Sequence, residues 1–173
     1  RLAKVFAPRM ERDRFSESTI SNIYYDTPDF RLIRRSLEKP VYKEKLRLRS
    51  YGRADREHPV FMELKKKYRS IVYKRRLTLP YGRALDCLTG DCPWPETQIG
   101  REIGYAMDFY PDLEPRVFLS YERDSWYAPE SGLRITFDDA IRFRTADLTL
   151  DSDLWGTALL RPDQVLMELK APG

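Results

Sequence analysis

The sequence has few of the side chains on which zinc sites and disulfide frameworks depend. Its 173 residues include two cysteines, Cys87 and Cys92, and one histidine, His58. A pair of thiols without a matching group of histidines or further cysteines argues against both kinds of site. We interpret His58 as a turn residue rather than a catalytic base, because it precedes a proline at the expected start of a strand.

Long apolar runs, internal repeats and low-complexity segments are also missing. No apolar run approaches the roughly 20 residues that a membrane-spanning helix needs, and 13% aromatic with 34% charged residues is typical of a folded chain. We therefore expect one domain over residues 1–173, without a membrane segment and located in the cytoplasm. The chain shows no signal peptide and begins and ends abruptly, so we expect that it is truncated at both ends.

The excess of basic over acidic side chains is small. The sequence contains 31 Lys and Arg residues and 27 Asp and Glu residues, which gives a net charge of +4. This balance favours an anionic ligand without requiring nucleic acid. The positions of the charges therefore carry more information than their sum.

Charged and apolar side chains alternate in three successive segments, residues 42–51, 59–68 and 71–80. Alternation with a period of two is typical of a β-strand that has one polar and one apolar face. Neighbouring antiparallel strands would bring the polar faces together, and a bare cationic face would repel itself. The pattern therefore predicts an anion on this face. Its charged members are Lys45, Arg47 and Arg49, then Glu63 and Lys65, then Lys74 and Arg76.

The remaining pattern predicts an α+β protein. We expect helices after Thr27, around Leu85 and Leu88 up to Gly90, and after Thr97, with packing roles only. The first should start at Pro28 and carry Phe30, Ile33 and Leu37 on its apolar face. Further strands are predicted over residues 20–26, 116–127, 132–144 and 165–170.

Two carboxylates, Glu63 and Glu168, lie among the cations of the alternating rows. Carboxylate oxygens suit Mg²⁺ or Mn²⁺, and Lys and Arg suit phosphate oxygens, so the rows indicate a metal–phosphate site. The pattern fits a closed barrel with a polar lumen and, equally, an open sheet with one face in water.

Six short motifs, taken in order, resemble those of one family. They are Tyr24-Tyr-Asp-Thr27, Lys43-Glu-Lys-Leu-Arg-Leu-Arg-Ser-Tyr51, Glu63-Leu-Lys65, Tyr121-Glu-Arg123, Arg134-Ile-Thr-Phe-Asp138 and Met167-Glu-Leu-Lys170. The chain resembles the VTC domain, the catalytic domain of the vacuolar transporter chaperone complex and its bacterial relatives. That domain belongs to the triphosphate tunnel metalloenzymes of the CYTH-like superfamily.

This resemblance implies a closed antiparallel β-barrel, a triphosphate tunnel of about eight strands, with a few flanking helices. It implies transfer of the ATP γ-phosphate to a growing inorganic polyphosphate with Mn²⁺ or Mg²⁺. The catalytic residues would be Arg47, Arg49, Lys65, Arg123 and Arg134; the substrate-binding residues Lys45, Lys74, Arg76, Tyr121 and Lys170; and the metal ligands Glu168 and Glu63. A first strand before Arg1 and a basic segment after Gly173 are family parts that this chain lacks.

Other functions remain open at this point. A triphosphatase would need only water in place of the polyphosphate acceptor, and a non-catalytic module would bind polyphosphate without turnover. A purely structural interpretation leaves all the charges solvated. The expected ligands are a nucleoside triphosphate, polyphosphate, pyrophosphate or phosphate. We do not expect nucleic acid, because the charged rows lack interleaved aromatic side chains for base stacking.

Overall fold

The computed structural model describes residues 9–13 and 16–172. Packing divides the chain into two compact units. The unit that we call terminal contains the chain up to Ile20, Ser120–Phe143 and the chain from Leu154 onward. The unit that we call central contains Ser21–Leu119 and Arg144–Asp153. A single domain over residues 1–173 stays a prediction.

Nine strands and three helices occur within the described residues. The strands are β1 (Glu11–Arg12), β2 (Ser18–Asp26), β3 (Tyr42–Tyr51), β4 (Pro59–Tyr68), β5 (Ile71–Pro80), β6 (Glu114–Ala128), β7 (Leu133–Arg144), β8 (Thr157–Ala158) and β9 (Leu166–Lys170). The helices are α1 (Arg31–Leu37), α2 (Tyr81–Thr89) and α3 (Gln98–Phe109). No helix in the described part of the chain combines the length and the apolar character that crossing a membrane requires.

The α+β class with a large antiparallel sheet is confirmed. The strands follow the order β5-β4-β3-β2-β6-β7-β8, with β1 also paired to β6 and β9 to β7. Closure into a barrel is not confirmed, because no hydrogen-bonded pairing among the described residues joins β5 to β8 or β9.

The apolar faces of β3 and β4 build the core of the central unit. Leu46, Leu48, Val60 and Met62 are each at most 1% exposed. They alternate with charged residues, so the period of two places every one of them on the buried face. Helices α2 and α3 cover this face with Tyr81, Ala84, Ile103 and Ala106.

Helix α2 ends, and helix α3 begins, where the sequence predicts. Gly90 closes α2 in the left-handed conformation with φ of 85°, which glycine adopts without a side-chain clash. The Thr97 hydroxyl accepts a hydrogen bond from the Gly100 amide and caps α3. Arg75, a cation on the otherwise apolar side of β5, donates to Glu102 of α3 at 2.9 and 3.0 Å.

Helix α1 differs from the prediction in its start and in its buried face. It begins at Arg31 rather than Pro28, because the buried Asp26 carboxylate accepts hydrogen bonds from the backbone amides of Leu32 and Ile33. Leu32 and Ser36 are buried, whereas Ile33 is 37% and Leu37 73% exposed. The buried face of α1 therefore differs from the predicted one.

The terminal unit has its own small core. Met10, Trp126, Ile135 and Phe137 pack together. In β9 every side chain is exposed, including the apolar residues Leu166, Met167 and Leu169.

The close approach of Pro95 to Gly100 yields a test of the packing around α3. A Cβ at Gly100 would collide with the Pro95 carbonyl oxygen, which is fixed backbone. We expect Gly100→Ala to lower the free energy of unfolding by about 2–3 kcal/mol. At Gly104 of the same helix the nearest atom is the Trp94 side-chain Cδ1 at 3.1 Å, which can move. Gly104→Ala should therefore stay within about 1 kcal/mol. Equal urea midpoints for the two variants would contradict this assignment.

Candidate functional site

Two rows of charged side chains run across β3, β4 and β5 in the central unit. The register places Lys45 opposite Lys65, and Lys65 opposite Lys74. In the adjacent row, two residues away on each strand, the register places Arg47 opposite Glu63, and Glu63 opposite Arg76. A step of two residues keeps the side chains on one face, so both rows share the face opposite the apolar core. We call these rows the lysine row and the arginine row.

Glu63 is the centre of the arginine row and is only 2% exposed. Its Oε2 accepts from Arg47 Nε at 2.7 Å and lies 2.6 Å from Arg47 Nη2. Its Oε1 accepts from Arg76 Nε at 2.7 Å and also contacts Lys74 Nζ at 3.1 Å. The Arg49 guanidinium lies 3.9 Å from the same carboxylate. Both carboxylate oxygens are thus occupied by cations.

These contacts keep Glu63 ionised in spite of its burial. Burial by itself would raise its pKa, but the charges of Arg47 and Arg49 and hydrogen bonds from Arg47 and Arg76 outweigh this effect and lower the pKa to about 2. Burial also acts to lower the pKa of Arg47, but Tyr24 and Glu63 reverse this and raise it. The pKa of Lys74 is lowered, chiefly by desolvation.

Two residues of β2 that were not predicted as site residues complete the arginine row. The Tyr24 hydroxyl accepts a hydrogen bond from Arg47 Nη1 at 3.0 Å. The Asn22 side-chain oxygen accepts from Arg49 Nε at 3.0 Å. Their spacing of two residues on a predicted strand was the signal that could have identified them. Both fix the direction of a guanidinium rather than adding charge.

Two of the three lysines in the lysine row have no counter-ion among the described residues. Within the described residues, the side chains of Lys45 and Lys65 make neither a hydrogen bond nor an ion pair, and Lys74 has Glu63 as its partner. A cleft of about 190 Å³ opens between the two rows. Its walls are Tyr24, Lys45, Arg47, Glu63, Lys65 and Lys74. Four cations and one carboxylate thus line the cleft, and Lys and Arg side chains suit phosphate oxygens.

The site residues predicted in the terminal unit are held in separate pairs. Arg123 donates to Asp138 through Nε at 2.6 Å and Nη2 at 2.7 Å, and these bonds raise the pKa of Arg123. The Tyr121 ring lies 5.1 Å from the same guanidinium. Arg134 Nε contacts Asp13 at 3.2 Å.

Lys170 and Glu168 form an ion pair at 3.4 Å in β9, and both side chains are more than half exposed. Across the strand pair, Thr136 lies opposite Glu168, and the buried Thr136 Oγ1 has no hydrogen-bond partner within the described residues. One exposed carboxylate with a neighbouring hydroxyl fits a divalent cation held mainly by phosphate oxygens.

A metal site made of protein ligands alone is not found. The described ranges contain no group of three or more His, Cys, Asp or Glu side chains that could hold an ion. Glu63 has its oxygens taken by Arg47 and Arg76, so the geometry favours a role as their counter-ion. Glu168 is the better placed of the two predicted ligands, because Lys170 is its one ion-pair partner in the described chain. Both assignments as metal ligands stay predictions.

The structure therefore places the predicted residues in two groups. The central unit brings together Lys45, Arg47, Arg49, Glu63, Lys65, Lys74 and Arg76 around one cleft or in direct contact with its walls. Tyr121, Arg123, Arg134, Glu168 and Lys170 lie in the terminal unit. The partners Asp13 and Asp138 were not predicted, because pattern does not reveal which cation a carboxylate will neutralise.

The depressed pKa of Glu63 predicts a loss of stability in acid. A carboxylate with a lower pKa in the folded than in the unfolded chain stabilises the fold above its ordinary value near 4.5, and this stabilisation is lost as the pH falls towards 2. The shift corresponds to roughly 3 kcal/mol. In urea titrations between pH 7 and pH 2, Glu63→Gln should be less stable at neutral pH and should lose about 3 kcal/mol less than the original protein in acid.

Glu130→Gln, at an exposed turn position, is the matched control and should follow the original pH dependence. The Glu63→Gln variant should also respond more strongly to a phosphate ligand. Tripolyphosphate should raise the melting temperature of Glu63→Gln more than that of the original protein, because the variant leaves more cations uncompensated. The same acid-induced loss in Glu63→Gln as in the original protein would overturn the assignment.

Two solved structures are similar to this chain. A structure described as "a putative adenylate cyclase" from Bacillus halodurans aligns with 80% of this chain, at 18% identity and a TM-score of 0.52. A second structure with the same description, from Vibrio parahaemolyticus, matches 81% of the chain at 15% identity and a TM-score of 0.43. The chain spans 65% and 64% of these two structures, less than two thirds of either. No curated protein matches the chain.

At such low identity, the Bacillus halodurans structure supports the fold alone. The sequence family gives the more specific result, since the model described as "VTC domain" matches residues 1–173, the full length of the chain. The chain belongs to the VTC domain family.

Proposed function

We propose that the central unit binds the phosphate groups of a nucleoside triphosphate or of polyphosphate, and that the protein is a polyphosphate polymerase-like phosphotransferase. The observation that carries this proposal is the lysine row, in which Lys45 and Lys65 line a cleft without any counter-ion among the described residues. Membership of the VTC family supports an enzyme that acts on triphosphates.

The arginine row and the lysine row would have different roles in binding phosphate. The guanidinium groups of Arg47 and Arg76 are held rigidly by Glu63, so they present fixed hydrogen-bond donors to phosphate oxygens. The side chains of Lys45 and Lys65, which have no partner within the described residues, would follow a phosphate chain along the face. Preorganised cations stabilise the charge that develops on the transferred phosphoryl group, and they do so without reorganising during the reaction.

The reaction that we propose needs no covalent protein intermediate. A terminal oxygen of polyphosphate forms a bond to the γ-phosphorus, and the bond between this phosphorus and the β–γ bridging oxygen breaks. ADP leaves, and the polymer is longer by one phosphate. The protein supplies alignment and charge neutralisation, which are the main requirements of phosphoryl transfer.

The family resemblance also implies a divalent metal. Glu168 is the residue that we would assign to it, for the reasons given above, with Mn²⁺ or Mg²⁺ as the ion. When bound, such an ion neutralises charge on the phosphate oxygens.

Two neighbouring lysines test the binding face directly. Lys65 lines the cleft, whereas Lys66 points to the opposite side of β4 and pairs with Glu102 at 3.8 Å. Each substitution by alanine removes one positive charge at nearly the same place in the chain. We expect Lys65→Ala to weaken tripolyphosphate binding about tenfold, as for loss of one charge-assisted hydrogen bond, and Lys66→Ala to stay within about twofold. Calorimetric titration measures both, and equal losses would argue for a diffuse charge effect instead of a site.

The products distinguish the possible reactions. The protein is incubated with ATP and Mn²⁺, and the same sample is assayed for free phosphate and for long polyphosphate on a gel. We expect polymer, and we expect Glu168→Gln to abolish it while Glu130→Gln does not. Free phosphate without polymer would identify a triphosphatase. Tight ligand binding with neither product, unchanged by removal of metal, would identify a binding module and overturn the assignment as an enzyme.

A further inference from the structure

A second cavity in the central unit adjoins the cleft but differs from it in chemistry. It has a volume of about 260 Å³, and apolar side chains from β2, α1 and β6 form most of its wall. These are Tyr25, Phe30, Leu32, Ile33, Val117 and Leu119. Phosphate groups gain nothing from such a wall, so the cleft's own ligand chemistry does not explain this cavity.

Two residues belong to both cavities. Tyr24 and Lys45 line the apolar cavity and also the cleft between the lysine and arginine rows. A ligand with its phosphates on the lysine row can therefore pass Lys45 and place an attached apolar group in the second cavity. An inorganic phosphate chain would leave the apolar cavity empty.

We propose that the apolar cavity is the subsite for the base of a nucleoside triphosphate whose phosphates lie on the lysine row. This inference rests on the proposed function of that row. A flat heterocycle gains from contact with aromatic and aliphatic walls, and the cavity is of the small size that suits such a ring rather than a large ligand. In this arrangement the base binds outside the phosphate cleft, in the apolar cavity.

Arg116 gives this cavity one polar feature. Its guanidinium carbon lies 4.5 Å from the centre of the Phe30 ring, so the two side chains stack. Its terminal nitrogens contact Glu114 and the Pro28 carbonyl, but its buried Nε has no hydrogen-bond partner in the described part of the chain. Because this nitrogen is buried, Arg116 contributes its planar guanidinium, stacked on Phe30, to the cavity wall.

The carboxylate at the cavity already has hydrogen-bond donors from the backbone. The Asp26 carboxylate accepts hydrogen bonds from the backbone amides of Thr27, Leu32 and Ile33, at 2.8 to 3.0 Å. The Asp26 carboxylate therefore stabilises the backbone of the cavity wall rather than binding a ligand. These bonds fix the start of α1, which places Phe30 and Ile33 at the cavity.

Phe30 is held in an unusual backbone conformation at this place. Its φ of 58° is in the left-handed region, which a bulky side chain rarely adopts. Its amide donates to the Thr27 carbonyl at 2.8 Å, and this bond helps to maintain the conformation. Strained residues of this kind concentrate at ligand sites, where the surrounding structure compensates for their cost.

Two positions on α1 provide a matched test. Ile33 lines the cavity, and Leu37, one turn later, lies outside the cavity wall and is 73% exposed. Ile33→Gln places a polar but uncharged group in the wall, and Leu37→Gln makes the same change away from it. The probes are ATP and methyl triphosphate, which carry the same triphosphate ester and differ in the nucleoside. Calorimetric titration gives the Kd of each.

We expect Ile33→Gln to raise the Kd of ATP about tenfold, in the range for loss of one base contact, and to leave the Kd of methyl triphosphate within about twofold. Leu37→Gln should change neither. An unchanged Kd of ATP for Ile33→Gln, or equal losses for both probes, would overturn the base subsite.

Failure of the base subsite can be told apart from failure of the phosphate site. If Lys65→Ala weakens methyl triphosphate but Ile33→Gln does not weaken ATP, the lysine row binds phosphate and the base lies elsewhere. If Lys65→Ala has no effect on methyl triphosphate, the proposed function itself is wrong and the base subsite falls with it.

Discussion

The ionised carboxylate of Glu63 is the interaction on which the charged face depends. Arg47, Arg49, Arg76 and Lys74 surround it on three neighbouring strands, and no one of them could be packed so closely without it. Their charges repay the cost of burying Glu63 and hold its pKa near 2. The same contacts orient the guanidinium groups. A single buried anion thus converts a set of mutually repelling side chains into a fixed array of donors.

Glu63 neutralises only part of the array, and the remainder gives the face its binding chemistry. Lys45 and Lys65 lie directly opposite each other without counter-ions in the described structure. Repulsion between them costs free energy, and an anion bound at this face would reduce that cost. Next to these lysines the wall becomes apolar, and a ligand with a charged chain and an apolar end matches both parts.

A second buried carboxylate, Asp26, has a comparable role in the apolar part of the central unit. It binds backbone amides instead of cations, and it thereby decides where α1 begins. That start determines that Leu32 is buried and that Ile33 is a more exposed residue of the cavity wall. In both cases a carboxylate positions other groups, so neither residue should be interpreted as a ligand-binding group on the strength of its charge.

The alternation of charged and apolar residues by itself determined the bounds of β3, β4 and β5 and which side chains share a face, because the period of two is a local property of the strand. It also determined that seven predicted residues would gather on one face. Only the tertiary structure decided that Glu63 neutralises Arg47 and Arg76 instead of remaining open to a metal. The helix start at Arg31, the contributions of Asn22 and Tyr24, and the lack of hydrogen-bonded closure among the described strands were decided in the same way. Each of these depends on which atoms meet across distant parts of the chain, and a local pattern contains no information about that choice.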